Sequence, residues 1–174
     1  PPPAAAEPAQ RAAGAPIELL FAGHLAQRKG IADLIAALAL LEVDWRLTLA
    51  GPRPATAPRA LDDLLADPRV RWLGTVPHAT LMERMAEAHV FVFPSIVEGF
   101  GMVITEALAA GLPVVTTPHT AGPDILREGV DGFIVPIRDA EALAERITRL
   151  AEDEPLRREM AAAARETVRR MSWA

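Results

Sequence analysis

The stretch between residues 89 and 107 constrains the fold more than any other. Val90-Phe91-Val92-Phe93 is apolar at consecutive rather than alternate positions. A strand of that kind has no solvent face, so residues 89–93 predict a sheet covered on both sides. Pro94 closes the run, because proline cannot donate to a ladder. Gly99-Phe100-Gly101 then turns into residues 102–110, where only Thr105 and Glu106 are polar. The first amides of a helix lack partners inside the helix and carry its positive dipole end, so strand, glycine turn and helix together make a place for an anion. No Ser, Thr, Asp or Asn stands directly before Met102 to cap those amides.

The rest of the chain repeats the theme. Apolar runs at 17–22, 45–50, 70–73, 114–117 and 133–135 read as further strands. Between them, stripes such as Ile31, Leu34, Ile35, Leu38 and Ala140, Leu143, Ala144, Ile147, Leu150 recur at helical spacing. Residues 60–66, the segment around Leu81, Met82 and Met85, and a last segment opened by Pro155 complete the helices. Alternation of this kind predicts an α/β fold, a Rossmann-like parallel sheet of about six strands with helices on both faces. Residues 1–16, rich in Pro and Ala, read as a linker or tail, and 17–174 as one domain. Ligands in such sheets sit beyond the carboxyl ends of the strands. That draws attention to the turns at 23–30, 74–77, 94–101 and 117–123.

Composition narrows the function classes. A net charge of −5 argues against general nucleic-acid binding. The absence of cysteine excludes disulfides, zinc–thiolate sites and thiol nucleophiles. No uncharged apolar run approaches the ~20 residues of a membrane span, and no signal peptide is visible. The expectation is therefore a cytoplasmic protein, and the abundance of Ala, Arg and Pro suits a GC-rich bacterial gene.

Several polar residues fall near the four turns. Glu106 lies just over one turn into an apolar helix, where a carboxylate needs hydrogen-bond donors such as sugar hydroxyls. Glu98 is read alone as ordinary loop charge. Arg28 and Lys29 offer cations that a diphosphate would accept, although a solvated basic loop is the commoner outcome. His24 is a further donor. His78, His89 and His119 are isolated and read as structural, and Trp45, Trp72 and Trp173 as core or interface residues. No Ser-His-Asp or metal-ligand spacing is present.

These residues bear a resemblance. Phe21-Ala22-Gly23-His24-Leu25 through Lys29-Gly30, and Phe93-Pro94-Ser95 through Glu98-Gly99-Phe100-Gly101 to Glu106-Ala107, look like the phosphate loop and the Glu-x7-Glu signature of one family. Gly111-Leu112-Pro113, Gly122, Asp131-Gly132 and Met171-Ser172-Trp173 follow in family order. The chain resembles the C-terminal, donor-binding domain of retaining GT-B glycosyltransferases of family 4, the "group 1" family, of whose fold it would be one half. The resemblance implies that Glu98 meets donor-sugar hydroxyls and Glu106 the nucleotide ribose. It gives the amides at Phe100, Gly101, Met102 and Val103 to the sugar and diphosphate, with Gly99 a further donor-binding residue. Gly23, His24 and Arg28 then border the diphosphate, Lys29 neutralises it as it leaves, and Val76 lies against the base. The cofactor requirement implied is a nucleoside-diphosphate sugar as donor substrate with no metal. The partner implied is an N-terminal acceptor-binding domain absent from this chain, through which a membrane surface would be met.

Two departures matter. His24 stands where the family has arginine, and Asp124 where it usually has glutamate. Without the acceptor domain, the fragment is expected to bind nucleotide sugar weakly and to transfer nothing alone. A GT-B nucleotide-sugar epimerase and a non-catalytic interaction module remain as alternatives.

Overall fold

The computed structural model describes residues 9–99 and 101–171. Its strands are β1 (Ile17–Ala22), β2 (Trp45–Ala50), β3 (Val70–Trp72), β4 (Val90–Phe93), β5 (Val114–Thr116) and β6 (Gly132–Ile134). They form one parallel sheet in the order β3-β2-β1-β4-β5-β6. Its helices are α1 (Ile31–Leu40), α2 (Ala60–Ala66), α3 (His78–Glu87), α4 (Met102–Ala109), α5 (Gly122–Ile125), α6 (Ala140–Glu152) and α7 (Glu154–Met171). The order runs outward from β1 in one direction and from β4 in the other. Right-handed crossovers running in opposite directions put their helices on opposite faces. Accordingly α1 packs on α2 and α6, while α4 packs on α7. The β1–β4 boundary is the point where the strand order reverses, and there the loops above the sheet diverge to leave a crevice.

Burial follows this layering. Every residue of β4 and β5 is buried, and Phe91 and Phe93 stack at 5.8 Å with Phe21 6.1 Å from Phe93. Trp45 is buried in the core, with the Arg69 guanidinium 3.9 Å above its ring. Of the two readings for Trp72, core or interface, the structure excludes the core. It sits on the edge strand β3, is 44% exposed, and donates its indole N–H to the Gly51 carbonyl at 3.0 Å. Trp173 lies outside the described residues.

The ends of the helices are held by specific side chains. Asp139 caps α6 by accepting from the Ala142 amide at 2.8 Å. At the other end, Arg157 and Arg11 donate to the Leu150 and Ala151 carbonyls at 2.7 and 2.5 Å, placing cations where the helix dipole favours them. Asp131, fully buried, accepts from the Arg127 amide at 2.8 Å and the Thr167 hydroxyl at 2.6 Å, joining the turn before β6 to α7.

His89, just ahead of β4, is structural as expected. Its Nδ1 accepts from the Glu18 amide at 2.9 Å. Burial, reinforced by the Arg157 and Arg11 guanidiniums, lowers its pKa to about 4. The unfolded chain takes up a proton near pH 6.5 that the folded chain refuses until about pH 4, so stability falls as pH drops through that window and is flat above it. At ~1.36 kcal/mol per unit, and discounting for screening at the cavity beside His89, the loss is about 2 kcal/mol. Urea denaturation at pH 7.0 and 4.5 should show it, and His89→Gln, which keeps an acceptor, should remove about that much of the pH dependence.

Candidate functional site

Above the β1–β4 boundary is an open cleft of about 380 Å³. Its floor is made by residues at the carboxyl ends of three strands: Ala22 of β1, Ala50 of β2 and Phe93 of β4.

The first wall is the loop after β1. Gly23 and His24 line the cleft, and the chain then makes a 3-10 turn over Gln27–Lys29. Lys29 is only 7% exposed. Its ammonium is ion-paired with the Glu98 carboxylate and lies 5.8 Å from the centre of the Phe93 ring. A buried ammonium without such a partner would be expensive. Glu98 is held in turn: Oε1 accepts from the Gly99 amide at 3.0 Å, and the Glu98 amide donates to the His119 carbonyl at 3.2 Å. The two glutamates, read as separate from the cation, are therefore unlike one another, since Glu98 is already engaged by Lys29.

The two loops are clamped through backbone. The Arg28 carbonyl accepts from the Ile96 amide at 2.9 Å, the Val97 amide at 3.2 Å and the Ser95 hydroxyl at 3.2 Å. Gly30, at φ 71° and ψ 23°, lies directly against the Pro94 carbonyl. From the far side the Thr117 hydroxyl donates to the Ser95 carbonyl at 2.5 Å. Thr117 thus sits past the end of β5 rather than in it, its hydroxyl spent on the neighbouring loop.

The second wall is α4. Gly101, at φ 57° and ψ 53°, precedes Met102, and no side chain caps the helix. Gly101, Met102, Val103 and Glu106 all line the cleft. The uncapped first turn gives that wall the partial positive charge of a helix N-terminus. Glu106 is half-buried rather than enclosed, and its Oε1 lies 2.9 Å from His78 Nε2.

The third side is the turn after β3, where Thr75 and Val76 reach the cleft and Leu81 of α3 lies beside them. Of the residues singled out from the sequence, the cleft thus gathers Gly23, His24 and Lys29 from one loop and Val76 from another. From the signature stretch it gathers Glu98, Gly101, Met102, Val103 and Glu106. Two stand apart. The Arg28 side chain is exposed and does not line the cleft; its carbonyl is what joins the loops. Gly99 lies off the cleft wall, with its amide turned to Glu98. Phe100 lies outside the described residues. Sequence reasoning misses His78, whereas Thr75 falls within the turn at 74–77 that it singles out. His78 reads as isolated because its partner is 28 residues away and only the fold joins them. Among the described residues no three His, Asp or Glu side chains are grouped to hold a metal ion.

One cation, uncapped amides, two carboxylates and an apolar corner at Val76 and Leu81 suit a ligand with an anionic centre, hydroxyls and a flat apolar end. The profile of the family described as "Glycosyl transferases group 1" matches residues 5–167. The phosphatidyl-myo-inositol mannosyltransferase of Mycobacterium leprae is 36% identical over 160 residues, 89% of this chain and 42% of that protein. Among solved structures, the sucrose-phosphate synthase of Thermosynechococcus elongatus superposes with a TM-score of 0.81 at 30% identity. That match covers 90% of this chain and 41% of the other. An Anabaena protein solved in complex with UDP-glucose superposes at 0.77 with 25% identity, covering 89% of this chain and 44% of that one. The chain thus spans roughly two fifths of the length of these three proteins.

Proposed function

The chain belongs to the glycosyl transferases group 1 family, and from that premise we propose that it is the donor-binding half of a retaining, family 4 transferase. In this reading it holds a nucleoside-diphosphate sugar whose glycosyl group passes to an acceptor. The observation that carries it is the convergence of Lys29, Glu98, Glu106 and the uncapped start of α4 in one cleft at the β1–β4 boundary.

The diphosphate lies on the first amides of α4 with Lys29 beside it, Glu98 takes sugar hydroxyls, Glu106 takes ribose hydroxyls, and Val76 flanks the base. Lys29 must then share its charge between Glu98 and the diphosphate. In the transfer step the bond between the anomeric carbon and the diphosphate oxygen breaks, and its electron pair leaves with the diphosphate. Lys29 and the helix dipole stabilise that charge where it develops. The acceptor oxygen bonds to the same face of the sugar and gives its proton to the departing diphosphate, so configuration is retained. Lys29 and the amides supply the positive charge, and no metal enters the step; transfer by the full protein is expected to persist in EDTA.

The acceptor would be bound by a further domain, and the isolated chain would bind donor without transferring it. The Anabaena protein was solved with UDP-glucose, and the Mycobacterium relative is a phosphatidyl-myo-inositol mannosyltransferase. We place the full protein in the same chemistry, the building of bacterial envelope glycolipids or polysaccharides at the cytoplasmic side of the membrane. No helix among the described residues is long and apolar enough to cross a membrane.

Isothermal titration calorimetry with UDP, GDP and ADP tests the donor site directly. At least one should bind, and Glu106→Ala should weaken it about tenfold or more, the value of a charge-assisted hydrogen bond or two. A native chain that binds none of the three would overturn the reading.

A further inference from the structure

We infer that His78 is a positioning residue: it holds the Glu106 carboxylate so that both oxygens receive a vicinal diol, giving the cleft a preference for ribonucleotides over dideoxyribonucleotides. This rests on the nucleotide-sugar reading above and goes beyond it by assigning a residue that the signature motif does not contain. His78 is the first residue of α3, following the turn after β3, and Glu106 lies in the middle of α4. Their side chains meet at the cleft edge, Nε2 to Oε1 at 2.9 Å.

An ionised carboxylate only accepts, so Nε2 carries the hydrogen and donates. Each carboxylate oxygen has two lone pairs. Oε1 therefore keeps one after binding His78, and Oε2 takes no part in that bond. That capacity matches the two adjacent hydroxyls of a ribose. The His78 side chain is 67% exposed and that of Glu106 28% exposed. Packing therefore does not hold the ring against the carboxylate, and the 2.9 Å hydrogen bond is the contact that joins them. Glu106 has three rotatable side-chain bonds, and an untethered carboxylate would have to be ordered by the ligand at the ligand's cost.

The test uses the same 174-residue chain. Calorimetry would compare the best-binding ribonucleoside diphosphate with its 2′,3′-dideoxy counterpart, on the native chain and on His78→Ala, His78→Gln and Glu106→Ala. His78→Ala should weaken the ribonucleotide about threefold to fivefold, the scale of the ordering an exposed pair supplies, and the dideoxy form less than about twofold. His78→Gln, whose amide N–H donates from a similar position, should restore most of the loss. In a Glu106→Ala background, which leaves His78 no acceptor, His78→Ala should cost less than about twofold. Ring nitrogen NMR of the unliganded native chain should show the hydrogen on His78 Nε2. Equal weakening of both nucleotides, no weakening at all, or a hydrogen-free Nε2 would each overturn the inference while leaving the donor site standing. A native chain that binds no nucleotide overturns both.

Discussion

Gly30→Ala is expected to destabilise the chain by about 3–5 kcal/mol and to abolish nucleotide binding along with it. A Cβ at residue 30 would stand 1.9 Å from the Pro94 carbonyl oxygen and 2.6 Å from its carbon. Both are backbone atoms, so no rotamer change relieves the overlap. The left-handed φ of 71° adds roughly 1–2 kcal/mol for any residue with a side chain. The remainder comes from pushing residues 94–98 away from the Arg28 carbonyl, which breaks the hydrogen bonds of Ile96, Val97 and Ser95. Glu98 would move with them. Gly129 is the control: its φ is 74°, yet nothing lies within 4 Å of the place a methyl group would take. Gly129→Ala should therefore cost only the conformational part, about 1–2 kcal/mol. Urea denaturation of the two variants gives the difference, and equal losses would show that the contact with Pro94 is soft.

On the proposed donor-site reading, Lys29→Met is expected to lower transfer by the full-length protein about 10²–10³-fold, the range for removing a fixed charge from a developing anion. In the present chain it should weaken a nucleoside diphosphate about tenfold while leaving the bare nucleoside nearly unaffected, because in the proposed pose only the diphosphate meets the ammonium. The same substitution strands Glu98, whose partner it is. A second variant, Lys29→Met with Glu98→Gln, should regain part of the lost stability without regaining phosphate affinity. The coupling between the two positions should amount to about 1–3 kcal/mol in denaturation. If the bare nucleoside weakens as much as the diphosphate, Lys29 acts through the shape of the cleft and not through its charge.

Much of this molecule is legible in its residues, for identifiable reasons. Buried parallel strands write themselves as unbroken apolar runs, so β1, β2, β4 and β5 are readable within a residue or so, and the alternation with helical stripes settles the fold class. The glycine turn before α4 announces an uncapped helix start, which the structure has. What is not legible is what only the strand order decides. For Trp72 the sequence leaves core and interface both open; that β3 is the sheet edge, which excludes the core, follows from topology. The pairing of Lys29 with Glu98 joins residues 69 apart, and that of His78 with Glu106 residues 28 apart, so no local spacing betrays either. His89 is readable only as a type. Burial lowers its pKa, and the Arg157 and Arg11 charges that add to it come from opposite ends of the chain.

The Arg28 carbonyl has a consequence for how such a site would be mapped experimentally. Two backbone N–H groups of the neighbouring loop meet on one oxygen, with the Ser95 hydroxyl shared between it and the Val97 carbonyl, and none of them consults the side chain attached to it. Alanine scanning would pass over position 28 as silent, and a mutational map would draw the clamp as a blank. Replacing the amide between residues 28 and 29 with an ester, which weakens that oxygen as an acceptor and deletes the Lys29 N–H, would expose it; Lys29 donates that N–H only to Ala26 within its own turn. The hub of the two loops is thus written in main chain, out of reach of the genetic code.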